Sequence, residues 1–164
     1  MDETFYKHLR IYHARGEPSA SEISEIEDLL DAKLPTSFLD FLKAANGGYF
    51  EFCIDIEGDS LSFGSIYQTG KDSNGSYGFG TFVGEIESER NGFLEIPRQV
   101  LPFAGDGGGS YVYLDLTAEG NGRVVAFVHG LPEWTGKPQE DRFIELAASF
   151  DEYLDLLYQC PDMI

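Results

Sequence analysis

The chain has 164 residues, of which 42% are hydrophobic and 14% aromatic, the size and composition of one globular domain with a substantial core. It carries 29 acidic against 11 basic side chains, a formal net charge of -18. That balance excludes direct binding to nucleic-acid phosphates or an anionic membrane, serves solubility in any case, and would attract a basic partner. The N-terminus shows neither a basic start nor a long apolar run, so no secretory signal or spanning helix is expected. With two cysteines only, Cys53 and Cys160, a cytoplasmic protein with reduced thiols is the expectation.

In chain order, residues 2–14 place Phe5, Leu9 and Tyr12 at helical spacing, which predicts an amphipathic helix ended by Gly16-Glu17-Pro18. Ser21 is the expected cap of a second helix with Ile23, Ile26, Leu29 and Leu30 on its inner face. Residues 34–48 predict a short helix. Pro35 starts it, Phe38, Phe41, Leu42 and Ala45 form its buried side, and Asn46-Gly47 stop it with a left-handed residue.

The pattern then turns to alternation. Phe50, Phe52, Ile54 and Ile56 share one parity; Tyr49, Glu51, Cys53, Asp55, Glu57 and Asp59 share the other, which describes a half-buried strand with an acidic face. Leu61, Phe63 and Ile66-Tyr67 continue as a second strand. Residues 70–84 read as a long Gly/Ser loop tucked down by Phe79 and Phe82, and residues 82–89 as a short helix ended by Asn91-Gly92. Strands are expected at 96–104, 110–116 and 123–129, the first two joined by the glycine turn 105–109. A loop at 130–139 holds Trp134, and Phe143, Leu146, Ala147, Phe150, Tyr153, Leu154 and Leu157 predict a closing helix. The sum is a single α+β domain, a mostly antiparallel sheet packed against N-terminal and C-terminal helices.

Tests for chemistry return little. Asp106-Gly107-Gly108-Gly109-Ser110 lacks the Lys-Ser/Thr of a phosphate loop and precedes a strand, so it reads as a hairpin turn; Gly75 to Gly80 fails likewise. Asp55-x-Glu57-x-Asp59 begins like a calcium loop, but Ser60 and Ile66 stand where that loop needs Gly and Glu. His8 and His13 are five apart, off the zinc-ligand spacing, and no serine sits in Gly-x-Ser-x-Gly. No cofactor or metal site and no catalytic residue is predicted.

Taken in order, Ile26-Glu27, Leu34-Pro35, Phe38, Phe41-Leu42, Asn46-Gly47-Gly48, Leu101 to Gly109, Val124 and Ser149 to Leu154 resemble the SUKH superfamily, which includes the fungal Smi/Knr cell-wall regulator and many bacterial immunity proteins. The likeness spans residues 21–157, with 21–160 as the SUKH-like domain and 1–20 as a helical extension packed on it. Two stretches, the one before Ser21 and residues 64–84, look longer than the family minimum. The resemblance implies a non-enzymatic protein-binding domain that, in bacteria, often neutralises a toxin, commonly a nuclease. An acidic inhibitor can occupy the basic cleft such a toxin needs. Expected partner-binding residues are Glu51, Asp55, Glu57 and Asp59, with Tyr49, Tyr111, Tyr113 and Trp134 as aromatic anchors. The alternatives are a regulatory scaffold without a toxin partner and a small hydrolase.

Overall fold

The computed structural model describes residues 2–92 and 96–161. In chain order these form β1 (Glu3–Tyr6), β2 (Leu9–Tyr12), α1 (Ala20–Leu30), α2 (Thr36–Ala45), β3 (Phe52–Ile56), β4 (Asp59–Leu61), β5 (Ser65–Ile66), α3 (Phe82–Arg90), β6 (Val100–Gly105), β7 (Tyr111–Asp115), β8 (Arg123–Val128), β9 (Arg142–Ala147), α4 (Phe150–Leu156) and β10 (Tyr158–Gln159). Every named strand pair is antiparallel, in a hairpin β1-β2, a sheet ordered β10-β3-β4 and a sheet ordered β5-β6-β7-β8-β9. The expected α+β architecture is present.

Two elements differ from the sequence expectation. Residues 2–14 are a β-hairpin, not a helix. Leu9 and Ile11 alternate into the core while Phe5, their supposed helical partner, is exposed, and the Thr, Tyr and Ile content suits a pleated surface. Residues 142–147 are likewise a strand. Ile144, Leu146 and Ala147 turn towards the core more than Phe143 and Glu145 do, and the closing helix begins only where Ser149 caps it by accepting from the Glu152 amide. The cap of α1 is Ser19 rather than Ser21, because Glu22, three residues on, returns a bond to the Ser19 amide and completes a capping box.

The core centres on Phe38 of α2, whose ring lies 5.0 Å from Phe150, 5.7 Å from Phe103 and 6.2 Å from Phe82, all edge-on. The four rings join α2, α3, α4 and β6. Phe79, expected to tuck down, is 90% exposed; Phe82 alone holds the end of that loop.

Asn46-Gly47-Gly48 is the junction of the molecule. The Asn46 carbonyl accepts from the Arg15 amide, the Gly47 amide donates to the Tyr67 carbonyl, and the Gly48 carbonyl accepts from the Ile66 amide. Tyr12 and Tyr49 exchange a backbone pair at 2.8 and 3.0 Å, which hooks the N-terminal hairpin to the rest of the fold. Of the Asn46-Gly47 pair expected to stop α2, Gly47, at φ 72°, takes the left-handed turn, and Asn46 has φ -54°. A Cβ on Gly48 would stand 2.8 Å from the Ile11 side chain and 2.9 Å from the Tyr12 carbonyl, so only glycine admits the hairpin. Asn46 itself is buried. Its side-chain nitrogen donates to the Gly16 carbonyl and Thr69 Oγ1, and its oxygen accepts from the Thr69 amide.

Cys53 and Cys160 are joined in a disulfide rather than reduced. Antiparallel pairing of β10 with β3 sets Tyr158 opposite Cys53, and the Cys160 amide donates to the Glu51 carbonyl, so the thiols meet although 107 residues separate them. Cys53, assigned by parity to the exposed face, is accordingly buried.

Candidate functional site

The acidic strand ends in a two-residue hairpin loop, Glu57-Gly58, with φ of 51° and 87° at the two positions, the twist that matches antiparallel strands. This turn presents Glu57 and Asp59 side by side. Facing them is the connection between β8 and β9. Lys137 from that loop pairs with Asp59, and Arg142 at the start of β9 donates from Nε to Glu57 at 3.1 Å. The loop is closed on itself by the Leu131 amide on the Pro138 carbonyl. At its base Asp141 accepts from the Gly130 amide at 2.6 Å and lies 3.1 Å from His129 Nδ1. Its outer turn, a short 3-10 segment at Glu133–Thr135, carries Trp134 with 83% of its surface exposed, and Leu131 is 45% exposed. An indole that large and open on a soluble face is unusual, because indoles dominate the energetics of interfaces when buried.

Between hairpin and loop lies a depression of about 120 Å³ lined by Ile56, Asp59, Asp106, His129, Lys137 and Arg142 among others. A second, of about 270 Å³, runs on between β3 and β9, with Ile54, Asp55, Glu57, Ile144, Glu145 and Leu156 in its walls. Asp55 accepts from the Tyr158 hydroxyl. The three carboxylates of Asp55, Glu57 and Asp59 therefore have separate partners and do not converge as calcium ligands would. The glycine turn also declines a phosphate: its amides at Gly108 and Ser110 already donate to Asp106 Oδ1. Among the described residues no three His, Cys, Asp or Glu side chains converge to hold a metal ion.

Of the residues singled out by sequence, the structure sets Glu57 and Asp59 against the loop that carries Trp134, through Arg142 and Lys137, with Asp55 along the adjoining groove. Glu51 is exposed beside the disulfide, where its carbonyl holds Cys160. Tyr49 stands at the far end of the strand, its ring stacked on His13 at 5.9 Å, separated from Glu57 by up to ~26 Å of extended chain. Tyr111 and Tyr113 are elsewhere altogether. In the register of β7 on β8 they pair with Phe127 and Val125 on the sheet face that α3 covers, and Tyr113 is buried with its hydroxyl donating to Glu89 at 3.1 Å. Burial pushes Tyr113 well above the ordinary phenol range, and the adjacent Glu89 carboxylate adds to it. Burial raises Glu89 in turn, only partly offset by that hydrogen bond. Tyr113 is thus a structural residue, not a docking anchor. The cations Lys137 and Arg142, which pin the Trp134 loop to the hairpin, were missed by sequence reasoning. The only local sign of a structured loop was its punctuation by Gly130, Pro132, Gly136 and Pro138.

Helices packed on antiparallel strands about an Asn-Gly-Gly junction define an α+β domain of the SUKH type. The sequence matches the SMI1 / KNR4 family (SUKH-1) over residues 17–156, and the chain belongs to that family. A curated relative, the SPbeta prophage-derived uncharacterized protein YokK of Bacillus subtilis (strain 168), is 25% identical over 153 residues, covering 85% of this chain and 74% of that protein. Among the described residues no helix is long and apolar enough to cross a membrane.

Proposed function

We propose that this chain is a non-enzymatic immunity protein that binds and neutralises a basic, nuclease-type toxin domain, docking through the Glu57-Asp59 hairpin and the Trp134 loop. The observation that carries the reading is an indole 83% exposed on a loop tied by Lys137 to a carboxylate-bearing turn, on a chain of net charge -18. Such a surface combines an aromatic anchor with the potential that steers a cationic partner. Membership of a family that is immunity-like and generally non-enzymatic supports it, and a prophage-derived relative is compatible with it.

The test is co-purification with the toxin domain encoded beside this gene. A stable complex that weakens as salt is raised, and that loses tenfold or more in affinity on Trp134→Ala with no change in folding, is the expected result. No complex, or a complex indifferent to Trp134 and to salt, refutes the reading.

A further inference from the structure

We propose that β9 is the docking edge of this domain, and that it takes an extended, basic polypeptide segment as an added antiparallel strand. The inference rests on the protein-binding reading above and gives it a mode. β9 closes the order β5-β6-β7-β8-β9, and among the described residues no strand, loop or side chain hydrogen-bonds to its outer backbone edge. It is six residues long and carries no proline; its one bulge, at Leu146, lies near its C-terminal end, so Arg142–Glu145 run in regular register with β8. Ile144, Glu145 and Leu146 of this strand line the groove of about 270 Å³. Across that groove stand Ile54 to Glu57 of β3 and its turn, whose side chains line it.

The chemistry of the groove names the occupant. Ile54, Ile56, Ile144 and Leu156 form an apolar floor, and Asp55, Glu57 and Glu145 stand along it; Arg142 pairs with Glu57 and Arg123 with Glu145, which leaves the three carboxylates one in excess of the cations beside them. A strand presents alternate side chains to opposite faces. A segment alternating apolar with Lys or Arg residues would set its apolar members on the floor and its cations beside Glu145 and Asp55, with main-chain bonds to β9 supplying affinity. The Trp134 loop, which leads directly into β9, then lies at one end of the added strand.

The probe is a fluorescein-labelled peptide of four Lys-Val repeats, titrated by anisotropy. Saturable binding is expected, with none by the Glu-Val counterpart. N-methylation of alternate amides in one phase should abolish binding while the other phase leaves it intact, because only one set of a strand's amides faces the sheet. Glu145→Lys with Leu156→Lys, both at exposed positions, should weaken binding tenfold or more with an unchanged thermal melt. Equal effects of the two N-methyl phases overturn strand addition, as does an absence of probe binding while the neighbouring toxin still co-purifies; that last result leaves toxin neutralisation standing. Probe binding without toxin binding separates the two in the other direction. Sedimentation showing a homodimer that Glu145→Lys dissolves would make the occupant a second copy, and would also overturn the proposal.

Discussion

Replacing Asn46 is the sharpest test of how this fold is held together. Its amide makes three hydrogen bonds at 2.8, 2.9 and 3.2 Å, linking the end of α2 to Thr69 and to the Gly16 carbonyl. At about 1 kcal/mol net for each bond, and with the Thr69 amide left buried and unpaired, Asn46→Ala should cost about 3 kcal/mol. For a domain of this size that lowers the melting temperature by roughly 6–12 °C. Urea unfolding should show a lower midpoint with an unaltered slope, because the surface exposed on unfolding is unchanged. Asn46→Asp adds a second discriminator. The carboxylate still accepts from Thr69 but turns an oxygen towards the Gly16 carbonyl, so the buried charge raises its own pKa and the variant regains ground on wild type as pH falls. A loss below 1 kcal/mol in the alanine variant, or an aspartate variant whose deficit ignores pH, would show that the junction is held by its backbone bonds alone.

Three further outcomes follow from packing and charge. Gly120→Ala places a methyl 2.0 Å from Asp115 Cγ and should cost 1–3 kcal/mol or more, by about the usual penalty of overpacking, because it dislodges a carboxylate that accepts from Thr117 and Arg123; Gly122→Ala, in open space at φ 87°, should cost only the roughly 1–2 kcal/mol of a left-handed alanine. Denaturant melts of the pair decide it, and equal costs would contradict the steric argument. Reducing the Cys53–Cys160 bond reopens a loop of 107 residues; the chain-entropy limit is about 4.7 kcal/mol and typical losses are about 2–4, so a reductant should depress the melting temperature clearly while Cys53→Ser with Cys160→Ser becomes insensitive to it. Glu89, raised by burial, binds its proton more tightly folded than unfolded, so its contribution to stability is present below the ordinary carboxyl pKa and is lost as pH rises through the folded value. Glu89→Gln keeps an acceptor for Tyr113 and should be at least as stable as wild type at neutral pH, with a flatter stability profile across that window; a marked loss at neutral pH would refute it.

The order of capped helices, the acidic β3 and the glycine turn at Asp106 were legible because each follows from local rules. Phe38, Phe41 and Leu42 announce a helix face, and Pro35 and Asn46-Gly47 its two ends. The candidate site was half legible. Parity identified Asp55, Glu57 and Asp59, yet neither the cations opposing them nor the loop that carries Trp134 to their side has a local signal, since Lys137 lies 78 residues from Asp59. Residues 2–14 and 142–147 misled for one reason: a few apolar residues fit periods of 3.6 and of 2 equally well over so short a run, and only the surface they meet selects between them.

By itself the sequence determined the α+β class, the large acidic excess, the α2 helix and its Asn-Gly-Gly stop, because these depend on residue type and on neighbours within a few positions. Tertiary structure alone decided the rest. It set Cys53 against Cys160 through the β3-β10 register and folded α3 over Tyr113. It also tied the loop bearing the exposed Trp134 to Glu57 and Asp59, and left β9 at an open edge. Each of these is a pairing between distant segments, fixed by which faces the closed core leaves over once Phe38 and its neighbours are buried.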